Sequence, residues 1–193
     1  MAVNAGRRGR GFGGRAAPAK APADPEAARI TGIGMLARRD LARRALRDRL
    51  VERGYQQEAA DEAVELLAGE RLVDDDRFVS NRIASRVSRG HGPRRIRVEL
   101  EQAGVERALV EAAMKASEID WARQAAIVLV RRFGPEQPGD ERERGIRARF
   151  LYYRGFEGDH VRRAFASLGL SVPDDGLDDG DALAGSADDD VDC

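Results

Sequence analysis

Cysteine is almost missing from this chain of 193 residues, and the single thiol, Cys193, is its last residue. No internal disulfide framework can form, which fits a reducing, cytoplasmic setting. Nowhere is there a run of about 18 apolar residues, so no helix is expected to span a membrane. The first residues lack the apolar core of a secretory signal. Histidine is nearly as scarce. His91 and His160 lie far apart, with no Cys or Ser nucleophile arrangement around them. Spacings such as CxxC or HExxH are absent, and so is a GxxxxGK[ST] phosphate loop. The early GRGFGG does not lie between a strand and a helix, so it cradles no phosphate. These gaps argue against catalysis, and no cofactor or metal is expected.

Charge is abundant but unevenly placed. The formal net charge is −1. Residues 1–22 nevertheless carry Arg7, Arg8, Arg10, Arg15 and Lys20 without an acid. Residues 173–193 carry nine aspartates without a Lys or Arg. The Gly/Arg-rich head (1–24) and the acidic tail (171–193) bury too little apolar surface to offset ordering, so both are expected to be disordered. Between them the chain is dense in Ala, Leu, Arg and Glu, all strong helix formers.

Glycines punctuate that middle region at even spacing. Gly54, Gly104 and Gly155 are 50 and 51 residues apart, and aligning them superimposes Leu50, Leu100 and Leu151. Ala63-Val64, Ala113-Met114 and Ala164-Phe165 then coincide, whereas Ser117 falls where the other copies have Leu67 and Leu168. Matched apolar positions around a matched glycine indicate an internal repeat. The glycine marks a helix end, where the left-handed conformation costs glycine least. The first copy thus contains helices near 41–53 and 57–67, the latter with an apolar stripe of Ala60, Ala63, Val64 and Leu67.

Each copy has room for one more helix upstream. In the second copy it is 76–89, with Val79, Ile83 and Val87 on one face, followed by Gly90-His91-Gly92 and a helix opened by Pro93. In the third copy it is about 119–133, closed by GPEQPGD. In the first copy it is 25–38, interrupted by Gly32 and Gly34, each costing about 1 kcal/mol relative to alanine. The expected fold is all-α: about three tandem three-helix modules over 25–72, 73–117 and 118–170. Short helices are marginal alone, so the modules must stabilise one another.

Asp74-Asp75-Asp76 is read as helix capping rather than a metal site, because the local sequence lacks further oxygen ligands. His91, between two glycines, is expected in a surface turn. From Arg77 to Val98 there are seven arginines (Arg77, Arg82, Arg86, Arg89, Arg94, Arg95, Arg97) and no acid. Arg82, Arg86 and Arg89 share one helix face with no carboxylate three or four residues away. Arg95 can pair with Glu99 and Arg97 with Glu101. An unpaired row of this kind suits an anionic partner, either nucleic-acid phosphate or an acidic protein groove, although a plain solvated face has the same pattern.

The run LVDDDRFVSNRIASRVSRGHGPRRIRVELEQAGV, residues 72–105, resembles the signature of the RecX family, regulators of the RecA recombinase. The matching positions are the acidic pair (Asp75-Asp76 or Asp74-Asp75), Phe78, Arg86, Gly90-His91-Gly92, Ile96, Leu100 and Gly104. LARRALRDRLVERGY (41–55) and RFLYYRGFEGDHVRRAF (149–165) are similar to the family's first and last repeats. Asp40 stands where the family has a Ser or Thr that caps a helix. The resemblance implies a curved, elongated array lying in the groove of the RecA filament on DNA. It also implies damping of that filament's ATP hydrolysis, strand exchange and SOS-repressor cleavage. The nucleotide site would be the partner's. A rival reading is a transcription regulator built of tandem helix-turn-helix units, but second helices such as QQEAADEAVELLA are acidic and poor in base-reading side chains.

Overall fold

The computed structural model describes residues 23–171. The readings of the head and tail lie outside this range, apart from Ala23, Asp24 and Ser171. Among the described residues there are nine helices and no strand. They are α1 (Pro25–Leu36), α2 (Arg43–Glu52), α3 (Gln57–Gly69), α4 (Asp75–Ser88), α5 (Pro93–Gln102), α6 (Arg107–Ala116), α7 (Trp121–Phe133), α8 (Glu141–Tyr153) and α9 (Gly158–Ser167).

The helices pack in threes, each trio around its own apolar centre. Leu46, Leu50, Ala63 and Leu67 fill the first, Val79, Ile83, Ile96 and Leu100 the second, and Leu129, Leu151, Val161 and Phe165 the third. The periodic leucines and their neighbours are therefore the core positions, as their spacing indicated. Apolar residues, Ala45 of α2 among them, reach from one trio into the next. Ala42, from the first trio's turn, sits in the second core, and Trp121 packs against both the second and third.

Aspartates open the first helix of every trio. Asp24 accepts from the Glu26 N–H, Asp74 from Arg77 and Asp120 from Arg123, each at 3.0 Å. Such a cap satisfies a donor that the helix itself leaves free. The repeated glycine closes the second helix. Gly54, Gly104 and Gly155 have φ of +99°, +83° and +88°. The next residue's N–H reaches back to the carbonyl of Leu50, Leu100 or Leu151 at 3.0–3.2 Å, which is the Schellman arrangement.

The interruption expected in α1 does not occur. Gly34 is on an open face, while buried Gly32 lies where an added Cβ would meet Leu67 Cδ1 at 2.8 Å. The lost propensity at Gly32 is exchanged for close approach of α1 to α3.

Candidate interaction surface

The joints between trios follow one rule: the second helix of a trio receives its N-terminal cap from the trio that follows. Neither α2 nor α5 has a side-chain cap of its own. The N–H of Arg43 donates to Asp75 Oδ1 at 2.8 Å. The N–H of Arg94 donates to the Gly155 carbonyl at 3.0 Å, beside Gly92 N–H to the Arg154 carbonyl at 2.7 Å. Asp40, expected to cap α2, is exposed and makes no such bond, because Ala42 is the N-cap and Asp75 supplies the acceptor.

Glycines allow these joints to close. A Cβ on Gly92 would collide with the Gly155–Phe156 backbone, and one on Gly155 would meet Arg95 N and Cβ at 2.6 Å. Arg154 Nη1 then donates to the Arg89 carbonyl at 3.0 Å, and Arg131 Nη1 to Ser88 at 3.2 Å. Both arginines cap the end of α4 from the third trio. Sequence reading singled out neither; two glycines flanking one turn residue were the only visible sign of a backbone-to-backbone approach.

The seven arginines separate into working groups. Arg86 is not unpaired: its Nε lies 2.6 Å from Glu99 Oε2, with side chains only 18% and 21% exposed. The partner comes from α5, thirteen residues on, and local spacing could not reveal it. Arg95 also reaches Glu99, at 3.4 Å, as expected. Arg97 bypasses Glu101 and bridges Glu111 at 3.0 Å and Glu157 at 2.8 Å, joining the second trio to the third. Arg77 turns back to the carbonyls of Arg71 and Leu72 at 3.2 and 3.1 Å. Arg94 has further contacts of its own and its N–H serves the joint. Arg82 lies over the Phe78 ring at 5.2 Å, a half-exposed cation–π contact. Arg89 is exposed, and no ion pair involves it among the described residues.

His91 does not occupy a surface turn. It is 5% exposed, with Nδ1 3.6 Å from Glu99 Oε1, so Glu99 is the hub of a cluster with Arg86, Arg95 and His91. The third trio has a buried cation of its own. Arg147 bonds Glu143 at 2.7 Å and the Glu136 carbonyl at 2.9 Å, and it lies over Phe133 at 5.3 Å. Glu143 also accepts from the Gly139 N–H at 2.8 Å. That backbone bond, followed by the Arg147 pair, holds its carboxyl below the usual range.

Among the described residues no group of His, Cys, Asp and Glu could hold a metal ion, and no helix is long and apolar enough to cross a membrane. The fold and its joints define a tandem array of three-helix modules with arginine-rich sides. Family profiles for the second and third three-helix domains of RecX match residues 74–114 and 118–165. The chain is 42% identical to Regulatory protein RecX of Halorhodospira halophila over 148 residues, covering 77% of this chain and 92% of that one. It is 37% identical to Regulatory protein RecX of Pseudomonas entomophila, over 76% of this chain and 94% of that one. The crystal structure of RecX from Lactobacillus salivarius shares the fold, with a TM-score of 0.65 at 16% identity over 76% of this chain and 97% of that one. The chain belongs to the RecX family of regulatory proteins.

Proposed function

We propose that this protein binds the RecA filament on DNA and restrains it. The restrained activities are ATP hydrolysis, strand exchange and coprotease function in DNA repair and the SOS response. The observation that carries this reading is identity to a RecX regulatory protein over 92% of that relative's length. The arrangement of the modules supports it. Joints at which each module caps its neighbour favour a semi-rigid array, and a repeating array suits a partner that is itself a helical repeat. On this reading the chain acts as a cytoplasmic monomer without catalysis or a cofactor of its own, and the nucleotide site is RecA's. Its contact with nucleic acid is weak or made through the filament.

The test is RecA ATP hydrolysis on single-stranded DNA with this protein titrated in. Equimolar or smaller amounts should slow turnover; unchanged turnover at low salt, with the chain shown to be folded, refutes the proposal. For docking, the useful arginines are those the fold does not consume. Arg82→Glu with Arg89→Glu should weaken inhibition at unchanged helicity. Arg86→Glu is uninformative, since it sets a carboxylate against Glu99. The rival reading as a tandem helix-turn-helix transcription regulator meets an obstacle in α3, whose outward face carries Glu58, Asp61, Glu62 and Glu65. Such a face repels a phosphate backbone.

A further inference from the structure

The three modules treat one repeat position in three different ways. The residue before each core leucine is Arg49, Glu99 or Phe150. In the second module Glu99 pairs with Arg86 and Arg95 and lies beside His91. In the third, Phe150 packs edge-on against Phe133 at 5.4 Å, beneath the Arg154 guanidinium. Both positions meet a partner of their own module. In the first module Arg49 faces a recess of about 430 Å³ lined by Met35, Arg38, Arg39, Leu41, Glu52 and Arg53. Four arginines meet there, with one carboxylate.

The expected internal partners are missing at this spot. Aligning the buried pairs Ala28/Gly32 and Val79/Ile83 puts Met35 where the second module has Arg86. The glycine alignment puts Leu41 where it has His91. An apolar wall has replaced the groups around the ion-pair hub, and its carboxylate has become a guanidinium. Arg49 Nη1 is buried with neither a hydrogen bond nor a carboxylate against it, whereas Arg86 Nε, also without a well-aligned hydrogen bond, lies 2.6 Å from Glu99. None of Arg38, Arg39, Arg49 and Arg53 has an ion pair among the described residues. Burial, with the Arg39 charge adding to it and Glu52 opposing, pulls the Arg49 guanidinium below its usual value.

Helix ends offer an ordinary explanation, since arginines favour C-terminal carbonyls. Elsewhere in this fold the arginines that do so show the bond, as Arg77, Arg131 and Arg154 do. The four in the recess make no such bond. Half-buried Arg49 is ringed by three exposed arginines, and a guanidinium so placed is disfavoured unless an anion completes the group.

We infer that the recess formed by Arg38, Arg39, Arg49 and Arg53 is an anion site that takes a phosphodiester group of single-stranded DNA. Arginine's planar fork matches a phosphate's oxygens in pairs. Met35 and Leu41 give an apolar wall beside it for sugar or base. A polymeric anion is favoured over a lone ion because the sequence ahead of α1, residues 1–22, adds five basic side chains and no acid. This contact needs no RecA, so it extends the proposed function without depending on it.

The experiment uses the full chain and a short fluorescein-labelled oligothymidylate, read by anisotropy across a salt series with RecA absent. Arg39→Gln with Arg49→Gln should lower affinity about tenfold, the scale of a lost hydrogen bond to a charged group. It should also flatten the salt slope by roughly 0.7 for each phosphate contact removed. Arg162→Gln with Arg163→Gln removes the same charge from α9, where these arginines neighbour Asp159 at 3.7 and 3.8 Å, and should change affinity far less. Equal losses in the two pairs overturn the proposal in favour of bulk charge. Better competition by polyaspartate than by unlabelled oligothymidylate overturns it in favour of an acidic protein segment. Arg49→Glu, which restores the second module's residue type, should abolish the site while raising the melting temperature. A lower melting temperature for Arg49→Glu means that the cluster is already satisfied, and it too overturns the assignment.

Discussion

Replacing Gly92 by alanine should uncouple the second and third modules, and the size of the loss follows from what the joint contains. Gly92 has an ordinary φ of −84°, so alanine is not strained by its backbone. The obstacle is purely steric: the new methyl would occupy the space of the Gly155–Phe156 backbone. Relief requires α5 and the 154–156 turn to separate. That separation breaks the Gly92 N–H bond to Arg154 and the Arg94 N–H bond to Gly155, at 2.7 and 3.0 Å. It also strains the Arg154 guanidinium bond to the Arg89 carbonyl. At about 1 kcal/mol net for each of two or three bonds, the loss is roughly 2–3 kcal/mol. Trp121, the single tryptophan, packs against both cores and reports the joint by fluorescence during urea unfolding. Amide exchange at Gly92 and Arg94 should accelerate together with a lowered midpoint. An unchanged midpoint with both amides still protected would show that the modules are not held together at this turn.

Gly34→Ala is the opposite case, because nothing lies within 4 Å of the added methyl in α1; it should stabilise the chain by about 1 kcal/mol, read as a raised urea midpoint. Arg71 holds φ +57° where α3 ends, at the position that Gly169 fills after α9 with φ +70°. Arg71→Gly should therefore raise thermal stability by up to about 1 kcal/mol, and a lower melting temperature would contradict the strain argument. Glu99→Gln leaves Arg86 and His91 facing each other without a carboxylate, and should cost about 1–3 kcal/mol in urea unfolding. The lowered carboxyl of Glu143 implies acid sensitivity of the third module. Its contribution is complete above the ordinary carboxylate range and is lost as pH falls through the depressed value. Glu143→Gln should therefore flatten the acid limb of the melting temperature against pH.

Much of the fold was legible because the repeat wrote the same instruction three times. Leu50, Leu100 and Leu151, each followed four residues later by glycine, specify a helix buried on one face and ended by a left-handed residue. That inference needs only local spacing, and it is correct for all three copies. Residues whose role depends on another module were not legible. Arg86 was read as unpaired because its carboxylate lies across a turn. His91 was read as exposed because glycine neighbours usually mean a surface loop, whereas here they thin the chain for docking. Asp40 was read as a cap because no sequence rule anticipates that the cap of α2 arrives from Asp75. Arg97 chose Glu111 and Glu157 over its helical neighbour Glu101 for the same reason.

These misreadings share a cause that bears on function. A helix capped by its own preceding residue folds whether or not its neighbour is present. α2 and α5 instead have cap acceptors only when the next module is docked, so order in one module depends on order in its successor. Stability in such an array is a sum of module and interface terms, and weakening one joint lowers protection in the module whose helix is capped there. The dependence runs in one direction along the chain, from each module to the one after it. The Gly54 turn of the first module marks where that series stops: it has the left-handed glycine of the other joints, yet nothing lies within 4 Å of it. Gly54→Ala should accordingly cost only the backbone strain of about 1–2 kcal/mol, with no change in exchange at Arg94 of the next module. Accelerated exchange at that amide would mean that a module also supports the one after it, and the directional account of the array would be wrong.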